Sequence, residues 1–162
     1  MMNPTDDNSV VIEREFDVPV DVIWQRWTDP DHFKAWYGPT GVTIPVANLD
    51  VLVGGTRLIS MEMQSPTGAM QMWFTGTYLE VIHNQGFVYT EAMSDEHGQP
   101  LPASDHNPTG DQHAVTEVRV ELEDLGGRTR MVMTHTGIPG DSPGATGWHM
   151  ALDKLTALIA CT

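Results

Sequence analysis

Basic side chains are scarce in these 162 residues: 8 Lys and Arg stand against 22 Asp and Glu, a formal net charge of −14. Such a surface repels nucleic-acid phosphates and anionic membranes across a Debye length, so neither is an expected partner. Cysteine is nearly absent, with only Cys161 beside the C-terminus, so no intrachain disulfide can form and a reducing cytoplasm is the natural compartment. No apolar run approaches the ~18 residues of a membrane span, and the opening "MMNPTDDNSV" is polar and acidic, unlike a signal peptide. Catalytic signatures are missing too. No Gly-rich phosphate loop follows a strand, and no CxxC pair or helical HxxxH fixes a metal. No cofactor is called for, and an enzyme is the weaker expectation.

What is present is patterning. "SVVIEREF" alternates, with Ile12, Arg14 and Phe16 on one face. "VPVDVIWQRWT" then takes up helical spacing, with Val20, Ile23, Trp24 and Trp27 in one stripe. In "TDPDHFKAWYGPTG", Thr28 or Asp29 caps a helix and Pro30 suits its first turn. About seven residues later Gly38-Pro39 ends it. A helix that short is not stable alone, so Phe33, Trp36 and Tyr37 must lean on something: the end of a longer helix and the rim of a sheet.

From Val42 the pattern is one of strands. "VTIPVANLDVL", "TRLISMEM", "AMQMWFTGTYLEVI" and "GFVYTEAM" are separated by Gly54-Gly55, "SPTG" and "HNQG". Pro45 marks the first of them as an edge or a bulge. "VTEVRVELED" and "TRMVMTHT" flank a tight connection at Leu125-Gly126-Gly127. Residues 93–113 are polar, rich in Pro and Gly and without period, which predicts a flexible flap. "DSPGATGWHMALDKLTALIACT" then gives an amphipathic helix with Trp148, Ala151, Leu152, Leu155, Leu158 and Ile159 on one face. Gly147, early in it, points either to a bulky neighbour at the backbone or to the helix start.

These elements predict an α+β chain: a flexible N-terminus over 1–8 and a single domain over 9–162. In it a seven-stranded antiparallel sheet curls around the long C-terminal helix, with two short helices after the first strand. The stretches "FDVPVDVIWQRWTDPDHFKAWYGP", "VLVGGTR", "GTYLEVI", "EDLGGRTRMVMTHTG" and "GWHMALDKL" also carry a resemblance, in order, from about residue 9 to 160. They resemble the branch of the START/Bet v 1 (SRPBCC) superfamily named for the C-terminal domain of the activator of the heat-shock protein 90 ATPase. That resemblance implies a helix-grip fold with an internal cavity, and it brings in a stress-response setting. It does not imply one activity, because relatives in the superfamily bind lipids, polyketides or hormones, or catalyse cyclisations.

Polar residues on apolar faces are the site candidates. Met131, Met133 and His135 share a strand face, so His135 points inward. It is either a partnered core histidine or a ligand contact, and it is the weak catalytic candidate. Arg57 shares a face with Ile59, Met61 and Met63, and Glu91 with Phe87 and Tyr89. An Arg/Glu network that fixes packing competes with an anchor for a ligand carboxylate or phenolate. Flexible methionines are either core filler or an adaptable lining. The expected ligand-binding set is Trp36, Tyr37, Arg57, Met61, Tyr89, Glu91, Met133, His135, Trp148 and Leu152. His97, Asp105, His106, Asp111 and His113 could ligate a metal, but nothing fixes their geometry and no metal is expected. The leading reading is binding of a small hydrophobic or aromatic molecule in a cavity between sheet and helix. A module acting on a chaperone ATPase, or a cyclase or hydrolase using the same cavity, is the alternative, and a homodimer is left open.

Overall fold

The computed structural model describes residues 9–99, 115–138 and 143–160. Residues 1–8, Cys161 and most of the segment expected as a flap, with Asp105, His106, Asp111 and His113, lie outside them.

Strand β1 (Ser9–Phe16) leads into α1 (Val20–Thr28) and α2 (Pro30–Phe33). Six strands follow: β2 (Val42–Leu49), β3 (Thr56–Ser65), β4 (Gly68–Ile82), β5 (Gly86–Ser94), β6 (Val115–Asp124) and β7 (Thr129–Thr136). The chain closes with α3 (Pro143–Ala160). The strands form one antiparallel sheet in the order β1-β7-β6-β5-β4-β3-β2. β2 through β7 are thus a meander, and β1 returns to pair with β7. This is the helix-grip architecture, its sheet curled around α3. None of the helices among the described residues is long and apolar enough to cross a membrane.

Local chemistry sets the breaks. Gly126 and Gly127 hold φ of 83° and 91°, the left-handed conformations that a tight β6–β7 turn requires. At Pro45 the β2–β3 register shifts between Thr43 and Val46; β2 is also an edge strand, so both readings of that proline hold. α2 is shorter than the sequence suggests. Asp29 caps it by accepting from the Asp31 amide, and Pro30 opens it, but regular α-helix stops at Phe33. Looser turns then carry Trp36 and Tyr37 inward, where the Trp36 indole donates to the Arg26 carbonyl at 3.0 Å.

The expected stripes face the core. Ile23, Trp27, Phe33, Trp36, Leu152 and Leu155 are buried completely or nearly so, along with Tyr78, Tyr89, Met131 and Met133. At about 1.5–3 kcal/mol for each large side chain taken from water, this cluster supplies the main driving force for closing the sheet over α3. Gly147 sits inside α3, and a Cβ there would rest 3.4 Å from Cγ of Pro39. Pro39 is therefore its close neighbour, and position 147 is not the helix start.

Gly76 is the tightest position. It is the cross-strand partner of Arg57, and a Cβ on it would run into the Thr90 carbonyl oxygen and press on the Arg57 stem. Gly76→Ala is expected to lower stability by at least about 2 kcal/mol, read as a fall in the urea midpoint. An unchanged midpoint would show that β4 and β5 can separate there freely.

Candidate functional site

The interior is divided into a filled half and an open half. In the filled half α1 and α2 press their rings against β4 and β5. Trp27 meets Trp36 edge-on at 4.7 Å between ring centres, Phe33 stacks on Tyr37 at 4.2 Å, and Trp27 also touches Phe87 at 5.4 Å. Phe33, Trp36 and Tyr37 therefore lean on α1 as well as on α3, which they reach through Tyr37 and Trp148 at 5.5 Å.

Arg57 lies in the middle of these rings, 2 % exposed. Its guanidinium carbon is 3.5 Å from the centre of the Tyr89 ring and 5.6–5.9 Å from those of Phe33, Tyr37 and Tyr78. It faces Oε2 of Glu91 at 3.8 Å, a distance that makes the pair coulombic. Burial works against its charge, yet Tyr89, Tyr78, Tyr37 and Glu91 together hold its pKa above the ordinary arginine value. The tyrosines stay neutral. Burial first, with Glu91 adding to it at Tyr37, pushes Tyr37 well above its usual value, and burial likewise raises Tyr89 and Tyr78. Tyr37 donates to Glu91 Oε2 at 3.2 Å, and its oxygen lies 2.9 Å from the Tyr89 hydroxyl. The structure thus contains the internal Arg/Glu network that the sequence offered as one account of Arg57. Arg14, the other inward-facing cation, instead reaches Asp153 on α3 at 3.0 Å.

The open half is a cleft of about 230 Å³ between the first two turns of α3 and the sheet. Gly144, Gly147, Trp148 and Ala151 of α3 form one wall; Tyr37, Gly38 and Pro39 form the lip. Met61, Glu91, His135 and Ile138 come from the sheet side. Of the ten residues expected from the sequence, Tyr37, Met61, Glu91, His135 and Trp148 meet here, whereas Trp36, Arg57, Tyr89, Met133 and Leu152 are packed away from it. Gly38, Pro39, Ile138, Gly147 and Ala151 went unread: small or rigid residues leave space, and composition carries no signal for space. A wider depression of about 640 Å³, bordered by Asn48, Asp50, Thr56 and His97, is polar and open. No group of three potential metal ligands exists among the described residues.

His135 is held at both nitrogens. The Trp148 indole donates to Nδ1 at 2.7 Å, and because an indole can only donate, that nitrogen must be bare. The ring proton then sits on Nε2, 2.7 Å from the Thr116 hydroxyl, which passes its own proton to the Glu91 carbonyl at 3.2 Å. Burial lowers the His135 pKa and Glu91 opposes the shift only in part. The ring is neutral and has no nitrogen left for a guest, so the chain Trp148–His135–Thr116 positions the indole wall.

A curled antiparallel sheet gripping a C-terminal helix, with a cleft at the helix's first turns, defines a START-like domain. The chain belongs to the family described as activator of Hsp90 ATPase homolog 1-like protein, whose model matches residues 17–160. No curated protein matches it. Among solved structures, one from Arthrobacter aurescens is 24 % identical with a TM-score of 0.76, covering 99 % of this chain and 91 % of the other. One from Nitrosomonas europaea is 23 % identical at 0.73, covering 94 % of each. The AHSA1 protein from Silicibacter pomeroyi is 21 % identical at 0.70, covering 94 % of this chain and 98 % of that one. At these identities the likeness is one of fold. Family and fold together support a ligand-binding or regulatory module.

Two outcomes test the site's electrostatics. Arg57→Met and Glu91→Gln are each expected to lower stability, Glu91→Gln by about 3 kcal/mol because it leaves the buried Arg57 cation without its carboxylate. The double variant should cost clearly less than the sum, and additivity in a urea-denaturation cycle would mean the pair is not coupled. For His135 the unfolded ring binds protons more readily than the folded one, so its contribution is whole above about pH 6.5 and is lost as pH falls through the lowered folded value. The stability difference between wild type and His135→Gln should therefore narrow between pH 7.5 and pH 5; a constant difference would refute the locked neutral ring.

Proposed function

We propose that this protein binds a small, mostly apolar, ring-bearing molecule in the cleft between α3 and the sheet. The observation that carries the reading is the cleft itself: about 230 Å³ walled by Tyr37, Pro39, Met61, Ile138, Trp148 and Ala151, in a fold whose other half is solidly packed. Pockets for drug-sized ligands run to about 300–1,000 Å³, so the guest is a one- or two-ring molecule. Met61 supplies the adaptable part of the wall and the locked Trp148 the rigid part. The single cysteine fits a cytoplasmic location, and the acidic surface fits neither nucleic acid nor anionic membrane as a partner.

A second reading, regulation of a chaperone ATPase, is supported by the family description alone. Saturating protein that leaves the ATPase rate of a purified Hsp90-type chaperone unchanged would dismiss it.

The binding reading is tested with the neutral dye N-phenyl-1-naphthylamine, which brightens in apolar surroundings. Saturable binding is expected, with energy transfer from tryptophan. Met61→Trp, which fills the cleft from a partly exposed strand position, should weaken that binding about tenfold or more, or 1.4 kcal/mol, with the melting temperature little changed. Absence of saturable binding, or a Met61→Trp variant that binds as well as wild type, would overturn the assignment.

A further inference from the structure

The polar atoms at the cleft say what kind of polar group its guest carries. Each side-chain donor lining it is already engaged. Trp148 donates to His135, and His135, through Nε2, to Thr116. The Tyr37 hydroxyl has one proton and gives it to Oε2 of Glu91, while its oxygen takes the neighbouring Tyr89 proton. The remaining lining side chains, Pro39, Met61, Ile138 and Ala151, have no donor. Acceptor capacity is different. Glu91 receives Tyr37 and faces Arg57 only through Oε2, and its Oε1 has no hydrogen-bond partner among the described residues.

We infer that the guest presents an O–H or N–H donor, that of an aromatic hydroxyl or amine, to Glu91, and that the cleft rejects carboxylates. This rests on the binding reading above and refines it. A carboxylate guest would find a like charge where a donor is wanted, inside a protein whose overall charge of −14 already works against its approach. The Arg57 cation does not rescue it. Arg57 is buried against Tyr89 and does not line the cleft, so its charge faces Glu91 and not a guest. An entirely apolar guest fits by shape but strands Oε1 away from water. Both halves of the discrimination therefore trace to one oxygen atom.

The experiment is competition against the same neutral dye with three molecules of one shape: 2-naphthol, naphthalene and 2-naphthoate. The expected order is 2-naphthol about tenfold or more ahead of naphthalene, with 2-naphthoate the weakest. In Glu91→Gln the side-chain amide both donates and accepts, so the three should draw together, with naphthoate gaining most; circular dichroism checks that this variant is folded. If it does not fold, the wild-type series decides alone. Dye that never binds defeats the pocket reading. Dye that binds and is displaced equally well by all three defeats the donor inference and leaves the pocket standing. Displacement led by naphthoate also overturns the inference, and would transfer recognition to the first turn of α3 at Gly144.

Discussion

The arrangement of this molecule turns on a buried cation. A guanidinium removed from water is tolerable only if something replaces its hydration, and Arg57 has the face of Tyr89 against it, three further rings around it and a carboxylate across from it. Those replacements come from α2, β4 and β5, elements far apart in sequence. The enclosure therefore fixes how the short helical segment seats on the sheet, and it explains why a four-residue helix that could not persist alone is held in one place. Opposite Arg57 stands Gly76, where a side chain would run into the Thr90 carbonyl of β5 and press on the arginine stem.

The same enclosure divides the interior. Rings gathered around Arg57 interlock beneath α1 and α2, while Glu91 and Tyr37 stand at the edge of the cleft. Beyond it the walls are Met61, His135 and Trp148, and the His135 ring is held neutral by two hydrogen bonds. An imidazole so placed is poor at moving protons but good at orienting the indole it accepts from. The charged pair and the neutral ring thus do separate things: one anchors a carboxylate at the cleft edge, and the other sets the plane of a wall.

Strands and helices were legible because their periods are strong. β1, β6 and β7 begin and end where the alternation does, and the apolar stripes of α1 and α3 are the buried ones. α2 was overestimated because capping and helix-stopping residues report where a helix is allowed, not whether tertiary pull on Trp36 and Tyr37 will unwind its second turn. The candidate site was half legible. Alternation sends Arg57, Glu91 and His135 inward, and they are inward. Alternation cannot tell which inward residues meet a solid neighbour and which meet a space, so Trp36, Arg57, Tyr89, Met133 and Leu152 were read into a cleft they do not line. That distinction is three-dimensional. It depends on how far α3 stands off the sheet, which no residue of α3 encodes by itself.

What sets that stand-off is a contact at the lip. Gly38, with φ of 88°, turns the chain so that Pro39 lies over α3. Gly147 is the point where the helix lets it approach, and the Lys154 ammonium donates to the Pro39 carbonyl at 3.3 Å one and a half to two turns further on. The lip is therefore tied to the helix at two heights. With the lip pinned to α3 rather than to β3 or β5, the space falls on the sheet side of Pro39, where Met61 and Glu91 border it. Gly147 thus lies at the contact between lip and helix, in a position where glycine weakens α3 by about 1 kcal/mol relative to alanine.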